Sequence, residues 1–196
     1  MTPSRFVLAS ASPRRREILR SAGLAFDVDV SEVDESFDET IAPTLAARVL
    51  AERKARAVAF RNRGRVVLAA DTIVALEVLG SWRYFGKPAD ASEARRMLRS
   101  LSNSRHAVVT GVCALHVDRG LAVVDSETTW VTMRAIGADE VEAYVASLEW
   151  RDKAGGYAIQ ESADRFVEKL EGGGFDNVVG LPLKLALDCL SRATLA

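Results

Sequence analysis

The feature that most constrains the fold is an apolar segment, residues 65–76, that carries a single carboxylate, Asp71, near its middle. Hydrophobic and β-branched residues run almost without interruption along this segment, which is typical of a strand buried on both faces. An ionised carboxylate in such a strand is costly unless a cation or hydrogen-bond donors approach it. The adjacent residues offer no such group, so we predict that distant segments of the chain bring cations to Asp71.

The overall composition favours a globular domain with a local anion site. The chain has 196 residues, of which 48% are hydrophobic, and this is enough to build a sizeable core. No Pro- or Ser-rich linker divides the sequence, so we predict a single domain, 1–196, with two lobes. The formal net charge of -1 gives no general attraction for nucleic acid or an anionic membrane, so any anion site must be local.

The cysteines and the apolar segments bear on the cellular compartment. Cys113 and Cys189 lie far apart in apolar surroundings, which is typical of reduced, buried thiols and not of a disulfide or a metal site. The N-terminal segment lacks the apolar core of a signal peptide, and no segment approaches the ~18 apolar residues that span a membrane. We therefore expect a cytoplasmic protein.

The order of predicted elements favours an α/β protein with a mixed sheet. Strand and helix alternate at the start, whereas hairpins dominate the middle of the chain. Strands are predicted at residues 6–10, 26–30, 65–76, 106–117, 121–133 and 165–170, with a hairpin turning near Gly80 and a short strand after residues 152–156. Helices are predicted at residues 13–22, 43–62, 90–101 and 139–148 and after Pro182.

A basic cluster stands at the start of the first predicted helix. Ser12 is a favourable N-cap and Pro13 suits the first helical position, and Arg14, Arg15 and Arg16 follow directly. Cations in the first turn oppose the helix dipole by roughly 0.3–1 kcal/mol each. The cluster therefore favours an anion-binding site, with a solvated basic face as the alternative.

Further charges stand in apolar or Gly/Pro-rich surroundings. Lys54 shares an apolar helical stripe with Leu50 and Val58, from which it would either serve a site or snorkel to solvent. Lys87 lies between a glycine and a proline, so a rigid loop presents it. Residues 32–35 form an acidic loop, whose carboxylates would contribute to a site only if the fold brings them close to Asp71.

These cations and carboxylates together suit a polyphosphate ligand. The cations would balance the charge that develops on phosphate, and the carboxylates would hold Mg²⁺ or Mn²⁺ or act as a general base. The sequence contains no Walker A motif, no Gly-x-Gly-x-x-Gly, no Gly-x-Ser-x-Gly and no Cys/His cluster suited to zinc. For His106 and His116 we predict surface or strand-edge positions, not catalysis.

Five segments make the sequence resemble the Maf family of nucleoside triphosphate pyrophosphatases, and they occur in the family's order across essentially the whole chain. They are residues 8–15 (LASASPRR), 69–72 (AADT), 86–88 (GKP), 152–160 (DKAGGYAIQ) and 177–183 (NVVGLPL). The resemblance implies an elongated mixed sheet flanked by helices, with two lobes around a deep cleft, as in the Maf/ITPase-like folds.

The resemblance also implies the reaction and the site. A nucleoside triphosphate would be hydrolysed between the α and β phosphates to a monophosphate and pyrophosphate, with a divalent cation (Mg²⁺, Mn²⁺ or Co²⁺). Asp71 would be the catalytic proton acceptor and, with Glu35, a metal ligand. The substrate-binding residues would be Ser10, Arg14, Arg15, Glu35, Lys54, Thr72, Lys87 and Gln160.

Three positions favour the branch of the family that acts on dTTP and UTP, namely Arg14, Thr72 and Gln160. The amide of Gln160 offers a donor beside an acceptor, which complements the N3–H and O4 edge of uracil or thymine. The branch that acts on 7-methyl-GTP differs, with tryptophan after the Ser-Pro pair and glutamine after the aspartate.

Two alternatives stay open at this point. One is a pyrophosphatase for 7-methyl-GTP or another modified nucleotide. The other is a non-enzymatic, nucleotide-binding regulator of cell division, because members of the family are linked to septum formation. Family members often form homodimers. For partners we expect a small nucleotide substrate, no stable nucleic-acid complex and no membrane.

Overall fold

The computed structural model describes residues 5–195. The strands are β1 (Phe6–Leu8), β2 (Phe26–Val28), β3 (Val67–Val78), β4 (Ser81–Phe85), β5 (Arg105–His116), β6 (Leu121–Met133) and β7 (Val167–Gly172). The α-helices are α1 (Pro13–Ser21), α2 (Pro43–Ala59), α3 (Ala91–Leu101), α4 (Ala138–Ser147), α5 (Phe175–Val179) and α6 (Leu183–Leu195). Short 3-10 helices span Val117–Arg119, Ala154–Gly156 and Ser162–Phe166.

The strands of the described residues form one mixed sheet in the order β2-β1-β3-β5-β6-β7, with β4 also paired to β3. β1 runs parallel to β2 and β3, whereas β3, β5, β6 and β7 follow one another in antiparallel pairs. Parallel neighbours need a crossover connection, and α1 and α2 supply it. The predicted α/β class, a mixed sheet with flanking helices, is confirmed. The division into two lobes stays a prediction.

Local signals in the sequence place the helix starts correctly. The Ser12 side chain caps α1 by accepting a hydrogen bond from the backbone N–H of Arg15 at 3.4 Å, and Pro13 is the first helical residue. In α3 the Asp90 side chain accepts from the backbone N–H of Glu93 at 2.8 Å. These caps fix where each helix leaves the sheet.

The central strand β3 is buried on both faces, as predicted. Alternate residues of its first half pack on opposite sides of the sheet: Val67 and Ala69 contact the α2 side, and Leu68 and Ala70 contact the α6 side. Asp71 continues the first set, so it points to the side that α2 covers. Its exposed fraction is only 6%.

The helix α2 lies unusually close to the sheet because small residues meet at the contact. Ala47, Ala51 and Ala55 of α2 are fully buried against β3 and β5. A Cβ added to Gly111 of β5 would lie 2.2 Å from the carbonyl oxygen of Ala47, so only glycine allows this approach. Gly111 is also the residue that pairs with Asp71 across the β3–β5 ladder.

Two local predictions are wrong near the C-terminal third of the chain. Residues 157–160 form no strand, because the chain leaves Ala154–Gly156 as a turn in which Gly155 and Gly156 have φ of +73° and +69°. This turn packs on β3 closely enough that a Cβ at Gly155 would lie 3.1 Å from Val74. The predicted loop 171–177 contains the start of α5, which has no strong helix signal in the sequence.

The prediction for His106 is also wrong. His106 is fully buried, and its Nε2 lies 2.9 Å from the hydroxyl oxygen of Tyr157. Its strand β5 lies between β3 and β6, and apolar residues of the core cover the face from which His106 projects. An apolar β-segment does not reveal whether its strand is central or at the edge of the sheet.

The cysteines agree with the prediction of buried, unpaired thiols. Cys113 and Cys189 are buried and free, and burial raises the pKa of the thiols to about 12 and about 11. Unreactive thiols of this kind serve packing.

Among residues 5–195, the helices are all too short or too polar to cross a membrane.

We predict that Gly111→Ala destabilises the protein by about 1–3 kcal/mol or more, because the new methyl group meets a backbone carbonyl that cannot rotate away. Urea unfolding followed by circular dichroism measures this change. Gly86→Ala is the matched control, since a Cβ there would meet nothing within 4 Å. Equal stability of the two variants would contradict the close approach of α2 to β5.

We predict that His106 makes stability depend on pH. Burial lowers the pKa of His106 from 6.5 to about 4. Between these two pH values His106 is protonated in the unfolded chain but neutral in the folded protein. The free energy of unfolding should therefore fall between pH 6.5 and about pH 4, by roughly 3 kcal/mol in total. Urea titrations of wild type and His106→Phe should diverge over this window, with His116→Asn as the control. A constant difference between wild type and His106→Phe would contradict the buried neutral histidine.

Candidate active site

A gap in the sheet creates the candidate site. On one side of β3, β1 pairs only as far as Leu68, and β4 begins to pair only at Val74. Residues 69–73 therefore have no strand neighbour on that side, and a cavity of about 920 Å³ opens there. The cavity reaches β3 along its unpaired edge, so Asp71 and Thr72 both line it although they point to opposite sides of the sheet.

All nine site residues predicted from the sequence line this cavity. They are Ser10, Arg14, Arg15, Glu35, Lys54, Asp71, Thr72, Lys87 and Gln160. Asp71 and Thr72 lie on β3, and the other residues come from the loops after β1, β2 and β4, the first turn of α1, α2 and the loop before β7. Their chemical roles remain predictions.

Lys54 joins the two predicted metal-binding carboxylates. Its Nζ lies 2.5 Å from Oδ1 of Asp71 and 2.7 Å from Oε1 of Glu35. The exposed fraction of Lys54 is 8%, so it does not snorkel to solvent. The prediction that a distant cation meets Asp71 is confirmed, and this contact offsets the cost of burying the carboxylate.

The second oxygen of Asp71 remains open. Within residues 5–195, Oδ2 of Asp71 accepts no hydrogen bond, yet it is not among the enclosed polar atoms that lack a partner. Since Asp71 lines the cavity, this oxygen faces the cavity. A carboxylate with one oxygen held by a lysine and the other open can orient a water molecule and accept its proton.

Glu35 stays ionised beside this pair. Burial favours its neutral form, but the hydrogen bond from Lys54 and the charges of Lys54, Lys87 and Arg15 outweigh burial and hold the pKa of Glu35 below its usual value. Half of the Glu35 side chain is exposed, whereas the Asp71 side chain is almost enclosed. Of the two carboxylates that Lys54 contacts, one is therefore buried and the other is accessible.

Arg15 and Arg14 have different surroundings although they are adjacent in the sequence. Arg15 donates from Nε to the carbonyl oxygen of Gly180 at 2.7 Å, and from its two Nη atoms to the hydroxyls of Ser10 at 3.2 Å and Thr72 at 3.1 Å. Burial lowers the pKa of Arg15, and the charge of the carboxylate on β3 opposes this effect. Arg15 thus ties α1, β3 and the segment before α6 together.

The remaining predicted residues are more accessible. Arg14 makes one long hydrogen bond, 3.4 Å from Nη2 to the carbonyl oxygen of Asp152. Lys87 and Gln160 are exposed, and in the described part of the chain their side chains form no hydrogen bond or ion pair. These side chains are therefore the ones that a ligand can reach without breaking a buried contact.

Sequence reasoning assigned no role to Lys153 and Glu161, which also line the cavity. The Lys153 ammonium donates to the carbonyl oxygen of Glu149 and lies 3.4 Å from a carboxylate oxygen of Glu161. The side chain of Lys153 is only 11% exposed. The available signal was a lysine close to two glycines in the segment 152–160, but this pattern is equally typical of a plain turn.

The donor set fits a divalent cation that a phosphate ligand helps to hold. Oxygens of Asp71 and Glu35 both contact one ammonium nitrogen, so the two carboxylates face the same part of the cavity. Among residues 5–195 no group of three or more His, Cys, Asp or Glu side chains could hold a metal ion. Two carboxylates suit Mg²⁺ bound mainly through substrate phosphates and water, and do not suit an all-protein metal cage.

Comparisons with known proteins agree with the geometry. A family model described as "Maf-like protein" matches residues 5–193. A dTTP/UTP pyrophosphatase of Desulforamulus reducens is 44% identical over 184 residues, which cover 94% of each chain. Relatives with the same name from Salinibacter ruber and Moorella thermoacetica are each 46% identical, and the alignments cover 91% and 92% of this chain and 85% and 90% of theirs.

One solved structure gives a weaker match. The Ham1 protein of Staphylococcus aureus superposes with a TM-score of 0.45 at 20% identity, over 66% of this chain and 72% of that protein.

Proposed function

The chain belongs to the Maf-like protein family, and on this premise we propose that it hydrolyses dTTP and UTP to the nucleoside monophosphate and pyrophosphate. One observation carries the proposal. A buried aspartate that pairs with Lys54 has one oxygen open to a cavity whose other walls present lysines, arginines and further carboxylates, Glu35 among them. A cavity with this lining can neutralise a triphosphate and activate water.

In the proposed reaction, water attacks the α-phosphorus while Oδ2 of Asp71 accepts a proton from it. A bond forms between the water oxygen and the α-phosphorus, and the bond from that phosphorus to the oxygen that bridges to the β-phosphorus breaks. Pyrophosphate leaves with the bridging oxygen. Arg14, Lys54 and Lys87 would balance the negative charge that accumulates on the phosphates.

We propose a divalent cation, Mg²⁺, Mn²⁺ or Co²⁺, as the cofactor, with Asp71 and Glu35 as its ligands from the protein. Bound there, the cation would supply positive charge to the phosphate oxygens and the leaving pyrophosphate. Lys54 already bridges the two carboxylates, so it keeps them close together without overall repulsion.

For base recognition we propose Gln160, with Arg14 and Thr72 as the other determinants of specificity. Gln160 is exposed to the cavity and has an unengaged amide. The Thr72 hydroxyl is already bonded to Arg15 and lies 2.9 Å from the Thr110 hydroxyl. Thr72 would therefore act through the shape of the cavity wall, whereas Gln160 and Arg14 can contact the nucleotide.

Three finer features extend the proposal. A homodimer is what the resemblance to the family implies, and a cytoplasmic location rests on the two buried, free cysteines. We expect a small nucleotide as the partner and no nucleic acid, because the net charge of the protein is close to zero. Sedimentation of the purified protein with and without UTP tests the first feature, and titration with labelled oligonucleotides tests the partner.

We predict that Asp71→Asn lowers kcat for UTP by about two decades or more, the range expected when a positioned general base is removed. Pyrophosphate release from a panel of nucleoside triphosphates, including 7-methyl-GTP, measures the effect and the substrate preference together. Asp125→Asn is the control, because Asp125 forms an exposed ion pair with Arg48. Unchanged turnover of a folded Asp71→Asn protein would reject Asp71 as the proton acceptor.

We predict that Gln160→Glu raises KM for UTP more than KM for a purine triphosphate. The carboxylate keeps the size of the amide but cannot donate a hydrogen bond to O4 of uracil. Its added negative charge repels every triphosphate, so the ratio of the two KM values isolates the effect on the base. An unchanged ratio would mean that Gln160 does not contact the pyrimidine edge.

A further inference from the structure

The amide of Gln160 cannot select a base on its own. A half-turn about the last side-chain bond exchanges its donor and its acceptor, so the same residue can pair with the uracil edge or with the opposite pattern of cytosine. Selection requires that the backbone beneath the amide is held in one place, so that only one orientation makes good hydrogen bonds.

The loop that carries Gln160 is closed at both ends on one residue, Glu149. The carbonyl oxygen of Glu149 accepts from the Lys153 ammonium before Gln160. After Gln160, Oε2 of Glu149 accepts from the backbone N–H of Ser162 at 3.0 Å and from its hydroxyl at 2.7 Å. We call residues 153–162 the base loop. Hydrogen bonds to Glu149 thus hold its first and last residues close together.

Buried side chains also hold the middle of the base loop. The hydroxyl of Tyr157 contacts His106 at 2.9 Å, and the backbone N–H of Ala158 donates to the hydroxyl of Tyr144 at 3.1 Å. Tyr157 and Ala158 are buried. The exposed side chain of Gln160 therefore projects from a backbone that is held on both sides.

The base loop is bonded to the phosphate side of the cavity as well. The backbone N–H of Gly155 donates to the carbonyl oxygen of Gly86 at 3.0 Å, and Gly86 directly precedes Lys87. This bond ties the position of Gln160 to that of a cation in the same cavity. A bound nucleotide would span the distance between Gln160 and Lys87, because its base would contact the first and its phosphates the second.

Backbone strain is concentrated around Glu149. Leu148 and Asp152 both adopt the left-handed conformation, with φ of +65° and +58°. This conformation is unfavourable for leucine, whereas aspartate adopts it more readily. Such strain persists where the surrounding contacts impose a required geometry, and here it turns the chain so that Glu149 faces both ends of the base loop.

We propose that Glu149 is a positioning residue for base recognition, which closes the base loop and so fixes Gln160 against the phosphate-binding cations. The proposal rests on the nucleotide pyrophosphatase function proposed above. Glu149 does not line the cavity, so it acts through Ser162 and Lys153 and not by contact with the substrate.

The experiment compares kcat/KM for UTP and CTP in the full-length protein and three variants. Glu149→Ala removes both contacts with Ser162, and we expect the UTP to CTP preference to fall roughly tenfold, mainly through KM for UTP. Turnover of CTP should change little, because Asp71 and Lys54 are untouched. Glu149→Gln keeps an oxygen that accepts both bonds and should retain most of the preference.

Glu142→Ala is the matched control, since Glu142 is an exposed residue of α4 that pairs with Arg95 and has no bond to the base loop. If Glu149→Ala fails to fold, Ser162→Ala removes one of the bonds and should shift the preference in the same direction. An equal loss of kcat/KM for both nucleotides, or a preference no lower than in Glu142→Ala, overturns the proposal.

Failure of this proposal and failure of the proposed function give different results. A wild-type protein that prefers UTP to CTP, together with a Glu149→Ala variant that keeps this preference, overturns only the role of Glu149. A wild-type protein that hydrolyses neither UTP nor dTTP overturns the proposed function, and the role of Glu149 in base recognition falls with it.

Discussion

The contact between Lys54 and Asp71 is the interaction on which the rest of the structure depends. A carboxylate in the central strand of a sheet needs a cation close by, and Lys54 of α2 supplies it. That helix reaches the strand only because Ala47 and Gly111 leave their backbones in contact. The same ion pair holds Glu35 and leaves one oxygen of Asp71 open, so the stability of the core and the chemistry of the cavity rest on the same side chains.

Much of the fold and most of the site could be predicted from the sequence, because local signals dominate there. The apolar run around Asp71 indicates a buried strand, and Ser12 with Pro13 marks a helix start. A charge in an apolar run also predicts its partner, since burial of an unpaired charge is so costly. The resemblance to the family supplied residues, such as Gln160, that no periodicity singles out.

The remaining features depend on packing that no local pattern encodes. Arg14 and Arg15 look alike in the sequence, yet one is enclosed by hydrogen bonds and the other lies on the cavity wall. The burial of His106 follows from the place of its strand in the sheet, which neighbouring strands decide. Glu149 is a single acidic residue after a helix, and its role is visible only when the two ends of the base loop meet on it.

The backbone contact between Gly111 and Ala47 also has a consequence for how the cavity can change over evolutionary time. Side chains on the α2 side of the cavity can be exchanged, but the helix cannot move closer to the sheet, because the carbonyl oxygen of Ala47 already contacts Gly111. If the helix moved away from the sheet, Asp71 would lose its contact with Lys54. A lineage that adapts to a bulkier nucleobase must therefore remodel the opposite wall, where loops tolerate insertion. Diversity among such enzymes should accumulate there, while the helical wall stays the same.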